Sequence, residues 1–204
     1  TFSAWVKRGG VGAGDRGIMR MGPDAAYTRI NINGNGQIEF DNYPGGFEGR
    51  KMTTAYHRDP SAWYHIVAVF DSDNGTAGNR MILYVNGSRI TALGTDADPD
   101  SGTASGAASG QNITIGISGT YEWSGYLAEV ALCDGQALAP TSFGEYDEDS
   151  PTIWKPIDIS GLTFGTNGFY LDFENSSALG ADVSGNTNNF TVANLDATDQ
   201  ATDT

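Results

Sequence analysis

Short runs of alternating polarity, separated by glycine-containing turns, limit the possible folds of this sequence more than any other feature. In the first run, residues 2–7, apolar side chains occupy every second position, which is the pattern of a β-strand. The Asn33-Gly34 and Asn35-Gly36 pairs supply the positive φ angles of a tight hairpin. Short strands at such spacing predict a β-sandwich or a barrel. The predicted strands cover residues 1–7, 17–22, 28–32, 37–41, 63–71, 80–85, 112–117, 126–133, 169–173 and 189–192.

The composition agrees with an all-β protein rich in turns. Glycine accounts for 28 of the 204 residues, and only 18% of the residues are charged. The formal net charge of -14, from 25 acidic and 11 basic residues, argues against nucleic acid and against an anionic membrane surface as partners. No run approaches the ~18 apolar residues of a membrane-spanning helix, so we expect no membrane insertion. The single cysteine, Cys133, excludes an internal disulfide.

Two stretches lack the strand pattern. Residues 93–111 are low in complexity and almost free of large apolar side chains, so we expect a mobile surface loop. Residues 138–162 are irregular and rich in proline, and we expect them to wrap over the core. The expected anchors of that segment are Phe143, Trp154 and Ile157. Because the chain begins inside a predicted strand and ends in a polar tail, we also expect it to be a segment of a longer polypeptide.

Read in order, the strands resemble those of the laminin-G-like and concanavalin A-like jelly-roll superfamily. The pieces that carry the resemblance are FSAWVKRG, WYHIVAVFD, LYVNG, ITIG and GYLAEVALCDGQAL. The positions that match its pattern are Ser3, Trp5, Val6, Trp63, His65, Leu83, Asn86, Gly87, Gly125, Glu129, Val130 and Leu138. The resemblance covers residues 2–138 and implies an all-β, antiparallel β-sandwich jelly roll whose usual first strand is missing. We therefore expect a laminin-G-like sandwich over residues 1–138 and an irregular C-terminal arm over residues 139–204, packed on the sandwich or on a neighbour.

The second half resembles a segment that follows such domains in virion proteins of tailed phages, particularly marine ones. The matching pieces are FGEYDEDSPTIWKP and the stretch from FGTNGFYLDFEN to the end of the chain. This resemblance implies a structural virion protein: a fibre, an appendage or a capsid-decorating module on the outer surface of the particle. Its implied partners are other virion proteins, further copies of itself and host-surface glycans. The alternative is a glycan-binding module of a secreted bacterial adhesin or polysaccharide-degrading enzyme.

Aromatic side chains in loops are the candidates for glycan binding, because ring faces stack on the C–H surfaces of sugars. Tyr121, Trp123 and Tyr126 cluster just before a predicted strand, and Tyr43 and Tyr56 belong to a second group. The alternative for both groups is ordinary packing at the rim of the sandwich.

Two acidic or amide-rich stretches are candidates for calcium, which prefers oxygen ligands. Asp96, Asp98 and Asp100 alternate along one stretch, and Asp182 and Asn186 flank Gly185 in the other. The first departs from a calcium loop, because Ser101 stands at the glycine position and no Glu closes it. The alternatives are a solvated acidic loop and an Asx turn, respectively. We expect no other cofactor.

Glu145, Asp147 and Asp149 are the best candidates for catalytic carboxylates. They resemble the E-x-D-x-x-E strand of laminarinase-type glucanases, but Ser150 occupies the last Glu position. A retaining glycosidase needs two carboxyl groups only ~5.5 Å apart on a cleft floor. We therefore expect a solvated acidic loop and no enzyme activity. His65 and Cys133 are expected to be strand and core residues.

Overall fold

The computed structural model describes residues 1–10, 14–106, 112–118 and 120–201. These residues form an all-β structure of two large antiparallel sheets, as the sequence predicts. The strands are β1 (Phe2–Arg8), β2 (Arg16–Met21), β3 (Tyr27–Ile32), β4 (Ile38–Tyr43), β5 (Gly49–Thr53), β6 (Tyr64–Phe70), β7 (Met81–Val85), β8 (Ser88–Arg89), β9 (Leu93–Ala97), β10 (Ile113–Ile115), β11 (Ile117–Ser118), β12 (Tyr121–Glu122), β13 (Gly125–Leu132), β14 (Gly144–Tyr146), β15 (Trp154–Pro156) and β16 (Phe169–Leu171).

Each large sheet has six strands. The first sheet has the order β16-β13-β1-β6-β7-β8, and the second has the order β10-β2-β3-β4-β5-β9. Two small sheets pair β11 with β12 and β14 with β15. Three short 3₁₀ turns lie at Ala77–Asn79, Pro140–Ser142 and Ala197–Asp199. Among the described residues no helix is long and apolar enough to span a membrane.

The main core lies between the two large sheets. Phe2, Ala4 and Val6 of β1 point into it, as their alternation predicts, and they meet Ile30 and Phe40 of the second sheet. β1 is a central strand, hydrogen-bonded to β13 on one side and to β6 on the other. Its residues Phe2 to Val6 are buried on both faces, which is why the strand lacks a polar side.

A second apolar layer covers the outer face of the first sheet. Val67 and Ala131 of that sheet contact Phe143, Ile159 and Phe164, all from the chain beyond residue 138. The C-terminal segment thus lies on its own sandwich in the described part of the chain. The exact domain boundary at residue 138 stays a prediction.

The prediction of a mobile loop is wrong for residues 93–106. Leu93–Ala97 forms β9, the edge strand beside β5, and so adds a strand that the sequence pattern did not predict. The backbone that follows is held by side chains: Asn42 donates to the carbonyl of Ala104 at 3.1 Å and accepts from the amide of Gly106 at 2.8 Å. Hydrogen bonds to the backbone replace the apolar anchors that the sequence lacks. Residues 107–111 lie outside the described part.

Candidate functional site

A row of charged side chains crosses the outer face of the second sheet. Arg20, Arg29, Asp41 and Arg50 occupy paired positions on β2, β3, β4 and β5. Because side chains alternate along a strand, the residues on either side of buried Phe40 point away from the core. The row therefore stands on the face opposite to the hydrophobic core.

Two arginines bind the carboxylates between them. Arg29 donates through Nε to Asp41 at 2.9 Å, and Arg50 approaches the other oxygen of Asp41 at 3.2 Å. Arg50 Nη2 lies 3.1 Å from Glu39 Oε1, so one guanidinium spans both acids. The side chains of Asp41 and Glu39 are only 0% and 5% exposed, although they lie on an outer face. The arginines therefore cover the acids as well as neutralise them.

Two amides complete the environment of Glu39. Asn31 Nδ2 donates to Oε2 at 3.2 Å, and Asn33 Nδ2 donates to Oε1 at 2.8 Å. Both carboxylate oxygens of Glu39 thus accept hydrogen bonds within the face. The side chains of this network have restricted rotamers, because each of them is bound to at least one partner.

The buried acid of the row depends on its arginines. Burial raises the pKa of the Asp41 carboxyl, and the Arg29 and Arg50 guanidiniums oppose that rise. The side chains of Arg29 and Arg50 are 15% and 30% exposed, so both guanidiniums reach the surface of the face in part.

Aromatic rings lie beside the charged row. Tyr27 and Tyr43 are paired two positions along the strands from the Arg29–Asp41 pair, and their rings stack with centroids 5.2 Å apart. The ring of Phe47 meets that of Tyr43 edge-on, with centroids 5.0 Å apart. The guanidinium of Arg20 lies 4.8 Å from the centre of the Tyr27 ring. Phe47 is 56% exposed. The face thus combines an apolar platform with fixed hydrogen-bond donors and acceptors, the combination that ligand sites for sugars need.

The comparison with protein families agrees with this architecture. A family model described as the concanavalin A-like lectin/glucanases superfamily matches residues 1–141. The chain belongs to this superfamily. No curated protein matches the sequence. A native heptameric SAP-like pentraxin from Limulus polyphemus aligns at 16% identity and a TM-score of 0.39, over 63% of this chain. The chain spans 60% of the length of that pentraxin chain.

Three of the positions that match the superfamily pattern form a buried polar cluster. Trp154 donates through Nε1 to Nδ1 of His65 at 2.9 Å, so the proton of the neutral imidazole is on Nε2 and points to Ser3 Oγ at 2.8 Å. Trp5 stacks on the imidazole at 4.8 Å. His65 is 0% exposed, and burial lowers its pKa to about 3. Because His65 is fully buried and its Nδ1 is hydrogen-bonded to Trp154, we interpret the Ser3–His65 pair as structural.

The five tyrosine and tryptophan candidates for glycan binding do not form one site. Tyr43 lies on the face described above. Tyr56 is 59% exposed at an end of the sandwich, under the guanidinium of Arg58. Tyr121 and Tyr126 are exposed in a third region, whereas Trp123 is partly buried against the main core. A contribution of Tyr121, Trp123, Tyr126 and Tyr56 to glycan binding stays a prediction.

Two carboxylates of the first calcium candidate, Asp96 and Asp98, form ion pairs with a lysine. Lys51 forms ion pairs with both Asp96 and Asp98, the second at 2.7 Å, and so places an ammonium between them. Asp100 is exposed. In the part of the chain that the structure describes, no three His, Cys, Asp or Glu residues are grouped as metal ligands would be. Calcium binding by Asp96, Asp98 and Asp100 stays a prediction.

The second calcium candidate has the hydrogen bonds of an Asx turn. Asp182 accepts from the amides of Tyr170 and Ser184, both at 2.9 Å. Asn186 uses its side-chain amide to donate to the carbonyls of Gly165 and Gly168. Their oxygens and amides thus bind the backbone that leads into β16.

The acidic stretch proposed for catalysis lies at the surface in and after β14. Glu145 and Asp147 share Lys155 of β15, at 3.5 and 3.2 Å, and Asp149 is exposed. The side chains of Glu145 and Asp147 are 56% and 31% exposed, so no dry cleft surrounds them. Cys133 is buried in the second apolar layer, where burial raises its pKa, which agrees with a core residue.

The sequence patterns did not single out four residues of this face: Glu39, Asp41, Arg29 and Arg50. The signal that would have found them is the alternation of β3 and β4, YTRINI and IEFDNY, in which every second residue is polar or aromatic. In two adjacent strands joined by an Asn-Gly turn, those residues must share one face.

Proposed function

We propose that this chain is a glycan-binding module whose ligand lies on the outer face of the second sheet. The observation that carries the proposal is the side-by-side arrangement of the Tyr27–Tyr43 stack and the Arg29–Asp41 pair. They are two residues apart on both strands, roughly 7 Å. A sugar ring presents an apolar C–H face to the rings and hydroxyl groups to the charged row. Membership of a lectin and glucanase superfamily supports the same function.

Glycan binding and its location are tested together by binding of three variants to a panel of immobilised polysaccharides. We expect Tyr43→Ala and Arg50→Gln to weaken the binding of the recognised glycan, because the first removes a stacking ring and the second a donor. Tyr121→Ala is the matched control, since it also removes a partly exposed tyrosine ring, in another region. If Tyr121→Ala loses binding and Tyr43→Ala retains it, this face is not the site. If the wild-type protein binds no glycan on a broad panel, the proposed function is wrong.

The module acts, in this proposal, without hydrolysing its ligand. The clamping of Glu39 and Asp41 by two arginines supports this, because a general acid must be free to release a proton near neutral pH. We expect no new reducing ends from laminarin, agarose or carrageenan. Hydrolysis that disappears in Glu39→Gln or in Glu145→Gln would overturn this part of the proposal.

We propose further that the module is a surface component of a tailed-phage virion, built from several copies. The resemblance of the second half of the sequence to segments of phage virion proteins supports this setting. The test is immunogold labelling of purified particles of a phage that encodes the chain, together with light scattering of the isolated protein. Labelled particles and an oligomer are expected. Unlabelled particles contradict the virion setting, and a monodisperse monomer contradicts the oligomer.

A further inference from the structure

Three arginines lie near one another at one end of the sandwich, and in the described part of the chain none of them forms an ion pair. Arg8 ends β1, Arg16 begins β2, and Arg58 follows β5. Among the described residues no carboxylate oxygen lies within 4.0 Å of their guanidinium nitrogens, although other arginines of the chain form such ion pairs. Residues 11–13, between β1 and β2 in the sequence, are Val, Gly and Ala and bring no acid. In a chain of net charge -14 this is an unusual place to leave positive charge uncompensated.

Two of these guanidiniums converge over Gly36. A side-chain carbon placed on Gly36 would lie 3.2 Å from Arg8 Nη1 and 3.4 Å from Arg58 Nε. Gly36 also has a φ of 88°, which closes the turn between β3 and β4. A side-chain carbon there would also lie 2.8 Å from Arg58 Cγ, so the absence of a side chain at this position lets the two arginines approach the turn closely.

Buried donors at this end lack acceptors. Arg8 is only 2% exposed, and its Nε has no hydrogen-bond partner in the described part of the chain, while its Nη1 donates to the carbonyl of His57 at 3.1 Å. The Nδ1 atom of His57 is also buried without a partner. Burial and the neighbouring Arg16 and Arg58 lower the pKa of Arg8, as expected for like charges held together. Buried polar groups normally have partners, so these two nitrogens have hydrogen-bonding capacity that the described part of the chain does not use.

Arg58 and Tyr56 lie at the surface of this end. Arg58 is exposed, donates through Nε to the carbonyl of Asn35 at 2.7 Å, and lies over the ring of Tyr56, 4.6 Å from its centre. Arg58 and Tyr56 are therefore accessible from solvent, whereas Arg8 is buried.

We infer that this arginine cluster, Arg8, Arg16 and Arg58 around Gly36, is a binding site for an oxyanion: a sulfate, phosphate or carboxylate group. Guanidinium forks bind such groups through paired charge-assisted hydrogen bonds. The site lies apart from the proposed glycan-binding face, at the turn end of β3 and β4, and does not depend on that proposal.

The test follows the arginine Nε–Hε signals by NMR while sodium sulfate, sodium phosphate or sodium glucuronate is added at constant ionic strength. We expect saturable shifts of the Arg8 and Arg58 signals with at least one of the three anions. Arg89, which is exposed and bound to Asn79 and Gly78, serves as the internal control and does not shift. The most tightly bound anion shows whether the group recognised is tetrahedral or a carboxylate.

The variant Arg58→Gln keeps the buried Arg8 in place and removes the exposed charge. We expect it to bind the anion roughly tenfold more weakly, because it loses a charge-assisted hydrogen bond, whereas Arg89→Gln binds as the wild type does. An unchanged amide spectrum shows that the variant is folded. Equal, linear shifts of all arginines with all three anions, or undiminished affinity in Arg58→Gln, would overturn the inference.

Discussion

At the scale of single residues, buried polar groups determine how the C-terminal segment attaches to the sandwich. His65 accepts from Trp154 on one side and donates to Ser3 on the other, and it is buried completely. The tryptophan comes from β15, so this one imidazole joins the sandwich to the segment that covers it. The sequence predicted His65 as a strand histidine, but it could not predict its partners, since Trp154 lies 89 positions away.

The depressed pKa of His65 makes stability depend on pH. In the folded protein the pKa of His65 is about 3, whereas a histidine in an unfolded chain has a pKa near 6.5. Between pH 3 and 6.5 only the unfolded chain binds the proton. The contribution of His65 to the free energy of unfolding is therefore fully present above pH 6.5 and is lost progressively as the pH falls towards 3. The slope should approach ~1.4 kcal/mol per pH unit from this group.

Urea unfolding of the wild type and of His65→Leu between pH 3 and 8 measures this term. The variant should be less stable at pH 7, since Trp154 Nε1 and Ser3 Oγ lose their partner, yet its pH dependence in this window should be weaker. An identical slope in both proteins would mean that His65 is not the group responsible.

Gly87 is the second residue on which attachment of Trp154 depends. It has a φ of 76°, and a side-chain carbon there would lie 2.6 Å from the Trp154 ring. We expect Gly87→Ala to reduce the free energy of unfolding by about 1–3 kcal/mol, through strain and displacement of the ring. Gly75→Ala is the control, because no atom lies within 4 Å of the added carbon; its melting temperature should barely change.

At the scale of elements, the strands with an apolar alternation were predicted and the polar ones were not. β1, β6 and β7 carry strongly apolar runs, and each was found close to its actual bounds. β5, GRKMT, was missed because its Lys51 is buried through ion pairs, with Asp96 of the edge strand β9 and with Asp98 just after it, and not through apolar contact. Residues 189–192 have a strand-like sequence but form none, since Phe190 packs against Phe169 from an irregular segment.

The contribution of residues 94–106 to stability can be tested directly. Replacing residues 94–106 by a short Gly-Ser linker removes β9, the acids that neutralise Lys51, and both bonds to Asn42. We expect a fall in melting temperature of many degrees, because Lys51 is then buried without a partner. Insertion of the same linker into the exposed turn at Gly75 is the control and should cost little. An unchanged melting temperature after the replacement would instead support the original prediction of a mobile surface loop.

At the scale of the whole molecule, three layers are stacked: the second sheet, the first sheet and the C-terminal segment. The candidate site lies on the outer face that belongs to the second sheet, at the opposite side from that segment. The sequence predicted the sandwich and the C-terminal arm, but it did not place any of the arginine–carboxylate pairs, because these require knowledge of which strands are neighbours.

Ending the chain before Phe143 should expose the outer face of the first sheet. Val67, Val69 and Ala131 would lose the apolar layer, and His65 would lose Trp154. We expect the truncated protein to bind a hydrophobic dye such as ANS and to aggregate on heating at a lower temperature. Ending the chain after Gln200 is the control. A truncated protein with unchanged stability and no dye binding would show that the layer contributes nothing to the fold.

The central claim, that glycans bind to the outer face of the second sheet, is tested most directly by isothermal titration calorimetry with a glycan identified on the polysaccharide panel. The wild type, Tyr43→Ala and Tyr121→Ala are titrated under identical conditions. The structure predicts saturable binding by the wild type and by Tyr121→Ala, and binding at least about tenfold weaker in Tyr43→Ala, which lacks a stacking ring worth ~1.4 kcal/mol or more. Equal affinity of the wild type and Tyr43→Ala would contradict it.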